Sequence, residues 1–494
     1  VQARLRLKPG AFTLGKGTPL LFNSLDYILF LGIAVAGFWL LARHAQLRII
    51  FVFVASCLFY MAWHPAYIVL ILGSTVVDFV AGLRIHATEN EQARKRWLLV
   101  SLVSNLGLLG LFKYFNFGSQ ATADVLHLFF GTTIENPPFL DVLLPVGISF
   151  YTFQTLSYTI DIYRRKLEPT RNFFQFAFFV TYFPQLVAGP IVRASQLLPQ
   201  LQQKITLKNE QVTQGLFLIA TGMIKKVAIA DYLSVNLVDR VFDQPELYSG
   251  AEVVIALYGF TMQIYCDFSG YTDVARGSAK LMGLELPENF DRPYQSASPA
   301  EFWRRWHITL STWLRDYLYY PLGGSHVGPA RAYWNLWLTM FLIGIWHGAS
   351  WTFVFYALLQ SMAMVTHRFF YRRSGRTRDT VDSWEVHAFK VFWALQFVVF
   401  SRILFRATSL QNAADVTARL GSGTFSVGQI SLGIWLLLIL TFAAHYTPKR
   451  WFESLELRFK TMPAPAQGVT LAAVGIGLSL VATSQVVPYI YFQF

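Results

Sequence analysis

The sequence predicts an all-α polytopic membrane protein, on three observations: charge is scarce, apolar runs of about bilayer length recur along the whole chain, and no strand-like alternation competes with them. The 494 residues are 54% hydrophobic, 16% aromatic and only 14% charged. Soluble domains carry roughly 25% charged residues and 45–50% apolar ones. A deficit of charge sustained over so long a chain excludes a soluble multidomain protein. The formal net charge of +13 raises nucleic-acid binding as a possibility. However, the basic residues stand in short clusters between apolar runs, where loops would face anionic lipid. The expected partner is therefore the lipid bilayer, with no nucleic acid. Cys57 and Cys266 both lie in apolar segments and supply neither a disulfide framework nor a metal-ligand set.

A helix needs about 20 mainly apolar residues to cross the hydrocarbon core. Candidate runs lie near 27–42, 49–63, 66–82, 97–112, 139–160, 173–190 and 212–230. Others lie near 251–266, 333–346, 350–366, 387–405, 429–446 and 468–487. Several are short, so about ten to twelve crossings are expected, with re-entrant or interfacial helices between them. No period-2 pattern suggests a β-barrel, and no internal repeat marks a secondary transporter. Basic loops at 43–48, 84–97, 163–171 and 368–379 alternate with stretches poor in Lys and Arg, around His64 and over 113–138. That alternation assigns the basic loops to the cytoplasm. Residues 1–19 break it with Arg4, Arg6, Lys8 and Lys16 and lack the apolar core of a signal peptide. They are expected to be an unstructured extension ahead of a single integral membrane domain over 20–494.

Ionisable residues inside this apolar background are the candidate functional groups. The run WRRWHITLSTWLRD (303–316), drawn as one helix, places Trp303, Trp306, His307, Leu310, Trp313 and Leu314 on one side. Arg305, Thr309, Thr312 and Asp316 fall on another. Composition favours a membrane-surface anchor in which His307 is incidental, over a helix lining a cavity. His347, in IWHGASW, is flanked on both sides by apolar sequence. Ionisable residues at that depth usually face a cavity and mark a substrate or proton path. A histidine there can accept a proton from an attacking hydroxyl. A helix-packing histidine and a haem ligand are the competing readings. Upstream, QIYCDFSGYTDVARG (263–277) carries Asp267 and Asp273, which fit a structural network as well as a catalytic one. Pro287, Pro293 and Pro299 make 287–307 a folded-back loop rather than one long helix.

These residues carry a resemblance. The runs LLFNS (20–24), PVGISFYTFQTLSYTIDIYR (145–164), YFPQLVAGPIVR (182–193), KKVAIAD (225–231) and QIYCDFSGYTDVARG are similar to those of the membrane-bound O-acyltransferase (MBOAT) superfamily, in its bacterial alginate O-acetyltransferase branch. So are LPENFDRPY (286–294), EFWRRWHITLSTWLRDYLYYPLGG (301–324), WHGASW (346–351) and PYIYFQF (488–494). The match runs from Leu20 to Phe494, and in this family LFNS lies close to the initiator. The resemblance implies a multispanning helical bundle with re-entrant and interfacial helices around a central funnel. It implies His347 as the catalytic residue and His307 as the second functional histidine. Asp267, Asp273, Asn289, Arg304, Arg305, Arg315, Asp316, Trp306 and Trp346 also match its motifs, as substrate-binding, funnel-lining or structural residues.

The implied reaction passes an acetyl group from a cytoplasmic thioester, acetyl-CoA, to hydroxyls of a cell-envelope polysaccharide such as alginate. Acetyl-CoA enters as a substrate; no bound cofactor and no metal are expected. The implied partner is a periplasmic Ser-His-Asp (SGNH-type) esterase-like protein, and the implied location is the bacterial inner membrane. No phosphate-binding glycine loop accompanies these motifs. Peptidoglycan O-acetylation, D-alanyl transfer to teichoic acid and, in another class, proton-coupled transport are the alternatives.

Overall fold

Nearly every apolar run becomes a helix in the computed structural model, which describes residues 20–375, 382–482 and 487–490. The expected extension 1–19, the end of the basic loop 368–379 and the last four residues of PYIYFQF lie outside the described residues. Among the described residues the only extended pairing is one antiparallel bridge between Phe290 and Trp306. The chain divides into two compact units: residues up to Gly215 with Ser278–Pro287, and Leu216–Gly277 with the chain from Glu288 onward.

The first unit packs Leu25–Leu40, Ala45–Met61, Ile68–Ala87, Ile148–Tyr163 and Phe173–Thr181 with a 40-residue helical stretch, Glu91–Phe130. Its helix starts are capped as the sequence dictates. Ser24 accepts from Tyr27 N, and Asn90 accepts from Gln92 N and Ala93 N, which satisfies donors that the helix itself leaves open. Gly82 is needed for contact, since a Cβ there would stand 2.7 Å from the ring of Tyr158. Asp78, fully buried in Ile68–Ala87, accepts from Ser101 Oγ at 2.6 Å and from Asn105 Nδ2 at 2.8 Å. A carboxyl inside an apolar helix is tolerable when neighbouring helices satisfy it in this way.

The loops of this unit sort by charge. Gln46 meets Asn172 at 2.7 Å, Glu89 meets Arg165 at 2.6 Å, and Arg94 donates to the carbonyl of Tyr163 at 2.6 Å. The three basic loops 43–48, 84–97 and 163–171 therefore gather at one end. The Lys- and Arg-poor connections gather elsewhere, where Tyr60 donates to Val146 O at 3.0 Å, Tyr67 to Leu143 O at 2.5 Å and Asn116 to Leu140 O at 2.9 Å.

The second unit holds most of the 32-residue helix Gly250–Leu281, the hairpin of Pro329–His347 and Trp351–Arg373, then Trp384–Arg406 and the C-terminal helices. The hairpin closes tightly where Gly344 faces Ala357: a Cβ on the glycine would lie 2.4 Å from that of the alanine. Leu432–Tyr446 and Lys449–Thr461 are joined at a bend of 95°. Pro448 stands at that bend, where it cannot continue the first helix.

Among the described residues four helices are long and apolar enough to cross a membrane, or five if the bent pair counts as one span. The sequence windows suggested about ten to twelve. Part of the difference lies in helices too short to cross, Leu25–Leu40 and Ala45–Met61, and part in breaks that composition does not reveal. The run 173–190 splits at Tyr182 into Phe173–Thr181 and Phe183–Leu186, with Pro184 in the second. The run 139–160 stays irregular until Gly147 turns at φ +75° to start Ile148–Tyr163. The run 212–230 widens into π-type turns over Ile224–Asp231. The protein is multi-pass, with short and broken helices among its spans.

Candidate active site

The most consequential departure from expectation falls in 303–316, which is not one helix. Helix Pro299–Arg305, capped by Ser298, stops at Trp306, and a second helix, Ile308–Leu314, begins after His307. The folded-back segment 289–291 causes the break by capturing backbone groups that a helix would need. Asp291 N donates to Arg305 O at 2.9 Å and Ile308 N donates to Asn289 O at 3.0 Å. His307 is turned into the left-handed region at φ +44° and is wholly buried. Histidine is among the few non-glycine types enriched there, and such strain persists only where surroundings impose it. The one-sided face drawn for a continuous helix is thus replaced by a kink that aims His307 inward.

Asn289 fixes the state of that ring. Its Oδ1 accepts from Thr309 N at 3.1 Å and Thr309 Oγ1 at 2.9 Å, and lies 3.1 Å from His307 Nδ1. An amide oxygen can only accept, so Nδ1 carries the proton and the neutral ring's lone pair is on Nε2. Phe268 supports the imidazole edge-on at 4.8 Å between ring centres.

His347 ends helix Pro329–His347 and is 2% exposed. The chain leaves through Gly348 in an extended conformation, and a Cβ there would stand 2.2 Å from the ring of Phe353. No other residue fits without displacing that ring. Around His347 stand Trp346 at 5.2 Å, Phe405 at 5.4 Å, and Trp303 and Tyr356 at 6.5 Å between ring centres. Trp346 also contacts His307 at 5.8 Å. The two histidines, forty residues apart in sequence, therefore share one buried indole. Trp306 lies in the same aromatic group, stacked on Phe302 at 5.6 Å.

The remaining candidates separate from this cluster. Asp267 pairs with Lys226 at 2.7 Å, and its other oxygen accepts from Ile490 N at 2.8 Å. Asp273 pairs with Lys225 at 2.6 Å. Arg304 is exposed, Arg305 pairs with Glu301 at 2.8 Å, and Arg315 pairs with its neighbour Asp316 at 2.7 Å. Of the charged candidates, none enters the aromatic group around the histidines in any of these contacts.

Sequence reasoning passed over three residues that the structure brings forward. Lys226, fully buried, binds both Asp231 and Asp267 at 2.7 Å. His445 is 6% exposed and accepts from Tyr294 N at 3.2 Å. Arg402 is buried between Trp306 and Phe405. Each stands in or beside an apolar run, and the reasoning applied to His347 would have flagged Arg402, inside the run 387–405.

Two histidines buried at chain breaks form the candidate site of this multi-pass helical protein, and the sequence comparisons give the class of the chain. Residues 164–409 match the profile of the membrane-bound O-acyltransferase family. The chain is 36% identical over 441 residues to "Probable alginate O-acetylase AlgI" of Pseudomonas aeruginosa, covering 87% of this chain and 81% of that one. It is 35% identical over 508 residues to the protein of the same name from Pseudomonas putida, covering 96% and 100%. A peptidoglycan O-acetyltransferase of Helicobacter pylori is 34% identical over 427 residues, covering 80% and 79%. The chain belongs to the membrane-bound O-acyltransferase family and is an O-acyltransferase.

Proposed function

We propose that this protein moves an acetyl group from acetyl-CoA on the cytoplasmic side of the bacterial inner membrane to hydroxyls of an envelope polysaccharide, alginate or a similar exopolymer. The observation that carries this reading is the similarity to alginate O-acetylases over almost the whole chain. The polymer is reached directly or through a periplasmic Ser-His-Asp esterase-like protein that carries the acetyl group. In the transfer, His347 accepts the proton of the attacking hydroxyl as its oxygen bonds to the thioester carbonyl carbon. The tetrahedral intermediate then collapses, the C–S bond breaks, and the proton passes to the leaving thiolate. The aromatic surroundings exclude water, which would otherwise hydrolyse the thioester.

His307 takes part through its Nε2. With Nδ1–H committed to Asn289, the neutral ring offers a lone pair at Nε2, so it accepts protons rather than donating to a carbonyl. It serves as a second base or relay. Peptidoglycan is the second reading, favoured by the Helicobacter relative. The test is reconstitution of the purified protein in vesicles with labelled acetyl-CoA outside or inside, its periplasmic partner, and alginate or peptidoglycan acceptors. Label on alginate with donor on one face and acceptor on the other is the expected result. Label on peptidoglycan alone selects the second reading, and no cleavage of acetyl-CoA rejects both.

A further inference from the structure

Arg402 lies one turn before the end of helix Trp384–Arg406, 1% exposed. Its guanidinium carbon stands 4.9 Å from the ring centre of Trp306 and 5.3 Å from that of Phe405. Nε and Nη2 are buried and have no hydrogen-bond partner, and among the described residues no carboxylate pairs with this side chain. The same unit treats its other buried cations differently. Lys226 has two carboxylates, and even the half-buried Arg406, one turn further on, has Asp239.

A buried guanidinium without a counter-ion is unfavourable unless something supplies one. The two open nitrogens identify what. Nε–H and the neighbouring Nη2–H form one planar edge of the guanidinium, and that edge matches two oxygens of a carboxylate or phosphate. Its position relates it to the reacting groups. Phe405 contacts both Arg402 and His347, and Trp306, beneath the guanidinium, directly precedes His307.

We propose that Arg402 anchors a substrate beside the two histidines by gripping a two-oxygen anion, phosphate or carboxylate, on its Nε–Nη2 edge. The inference rests on the acyl-transfer reading of this site. The anion has two sources: the phosphates of a pantetheine-bearing donor, or the carboxylate of an acidic sugar acceptor. Arg402 is a positioning residue, because it holds the substrate away from the bonds that change.

The test is equilibrium binding and thermal stability of the purified full-length protein in detergent, with wild type, Arg402→Met and Arg402→Lys. The probes are coenzyme A for the phosphate source, a glucuronate oligomer for the carboxylate source, and a neutral glucose oligomer as control. Arg402→Met replaces an unpaired charge with an apolar chain of similar length, so stability without ligand is expected to hold or rise. Affinity for one anionic probe should fall about 10- to 100-fold, the loss expected for a charged hydrogen-bonded pair. Arg402→Lys keeps the charge without the planar edge and should recover only part of it. Loss for coenzyme A assigns the donor; loss for glucuronate assigns the acceptor. Equal affinity of wild type and Arg402→Met for both anionic probes overturns the proposal, as does failure of wild type to bind either. A large fall in unliganded stability with affinities intact overturns it too, leaving a packing role. If wild type binds a probe through Arg402 yet cleaves no thioester, the acyl-transfer reading fails while the anion site stands.

Discussion

Two regions of the second unit bury polar groups, and they do so in opposite ways. Around Lys226 the charges are compensated: the ammonium contacts Asp231, Asp267 and the carbonyl of Val487, and Asp267 takes the backbone N–H of Ile490 as well. His307 instead meets the Asn289 amide and the rings of Phe268 and Trp346, and His347 meets the rings of Trp303 and Phe405. The first arrangement locks protons in place, since moving one would leave a buried charge alone. The second sets its imidazoles against an amide and aromatic rings, groups that do not themselves ionise. Burial of an ionisable group is therefore a poor guide to catalysis until its partners are known.

The largest effect expected from this contrast is on rate. His347→Ala should reduce acetyl transfer by about 10²–10⁴-fold, the usual worth of a general base, while membrane yield and gel-filtration profile stay normal. Transfer above about a tenth of wild type would return His347 to a packing role. Lys226→Met should do the reverse. It leaves Asp231 and Asp267 uncompensated, at about 3–5 kcal/mol, so the protein should lose thermal stability and yield. Adding Asp231→Asn and Asp267→Asn to that variant should restore much of the stability. A stable Lys226→Met single variant would erase the contrast.

A smaller effect is expected at Asn289. Asn289→Leu frees His307 Nδ1 from its acceptor and leaves Thr309 N without one, so activity should fall roughly 10- to 100-fold. Asn289→Asp keeps the acceptors and should retain more, and equal loss in both variants would speak against tautomer control. The smallest effect is at Arg315, half exposed beside Asp316. Arg315→Ala should change stability by less than about 1 kcal/mol and leave transfer nearly unaltered, as assayed in the same vesicles. A severe loss there would move the substrate path towards the 315–316 pair.

The class of fold was legible because charge scarcity and run length report the solvent, and the solvent here is lipid. The grouping of loops 43–48, 84–97 and 163–171 was legible for a related reason, since all three carry the same charge pattern. His347 was legible as an ionisable residue in an apolar run, whereas its nearness to His307 was not. Helical periodicity assigned 303–316 a continuous axis, and nothing in those residues announces that Asn289 and Asp291 would intercept their backbone. The partners of Asp267 and Asp273 were hidden for the opposite reason. Lys225 and Lys226 are adjacent in sequence but turn to different carboxylates, a choice made by the widened turns over Ile224–Asp231. Arg402 went unread because a single cation in an aromatic-rich helix resembles an end-anchor until its depth is known.

The left-handed backbone at His307 makes glycine the least disruptive replacement there. An alanine variant would lose the imidazole and, like the histidine, still carry a Cβ in a conformation that costs about 1–3 kcal/mol, now without the ring contacts that hold it there. Glycine adopts φ +44° freely. His307→Gly would therefore leave a ring-shaped vacancy in an otherwise unstrained frame, bordered by Asn289 and Phe268. Free imidazole added to that variant could occupy the vacancy and rebuild the hydrogen bond to Asn289. Recovery of transfer that saturates with added imidazole would turn a fixed side chain into a titratable reagent.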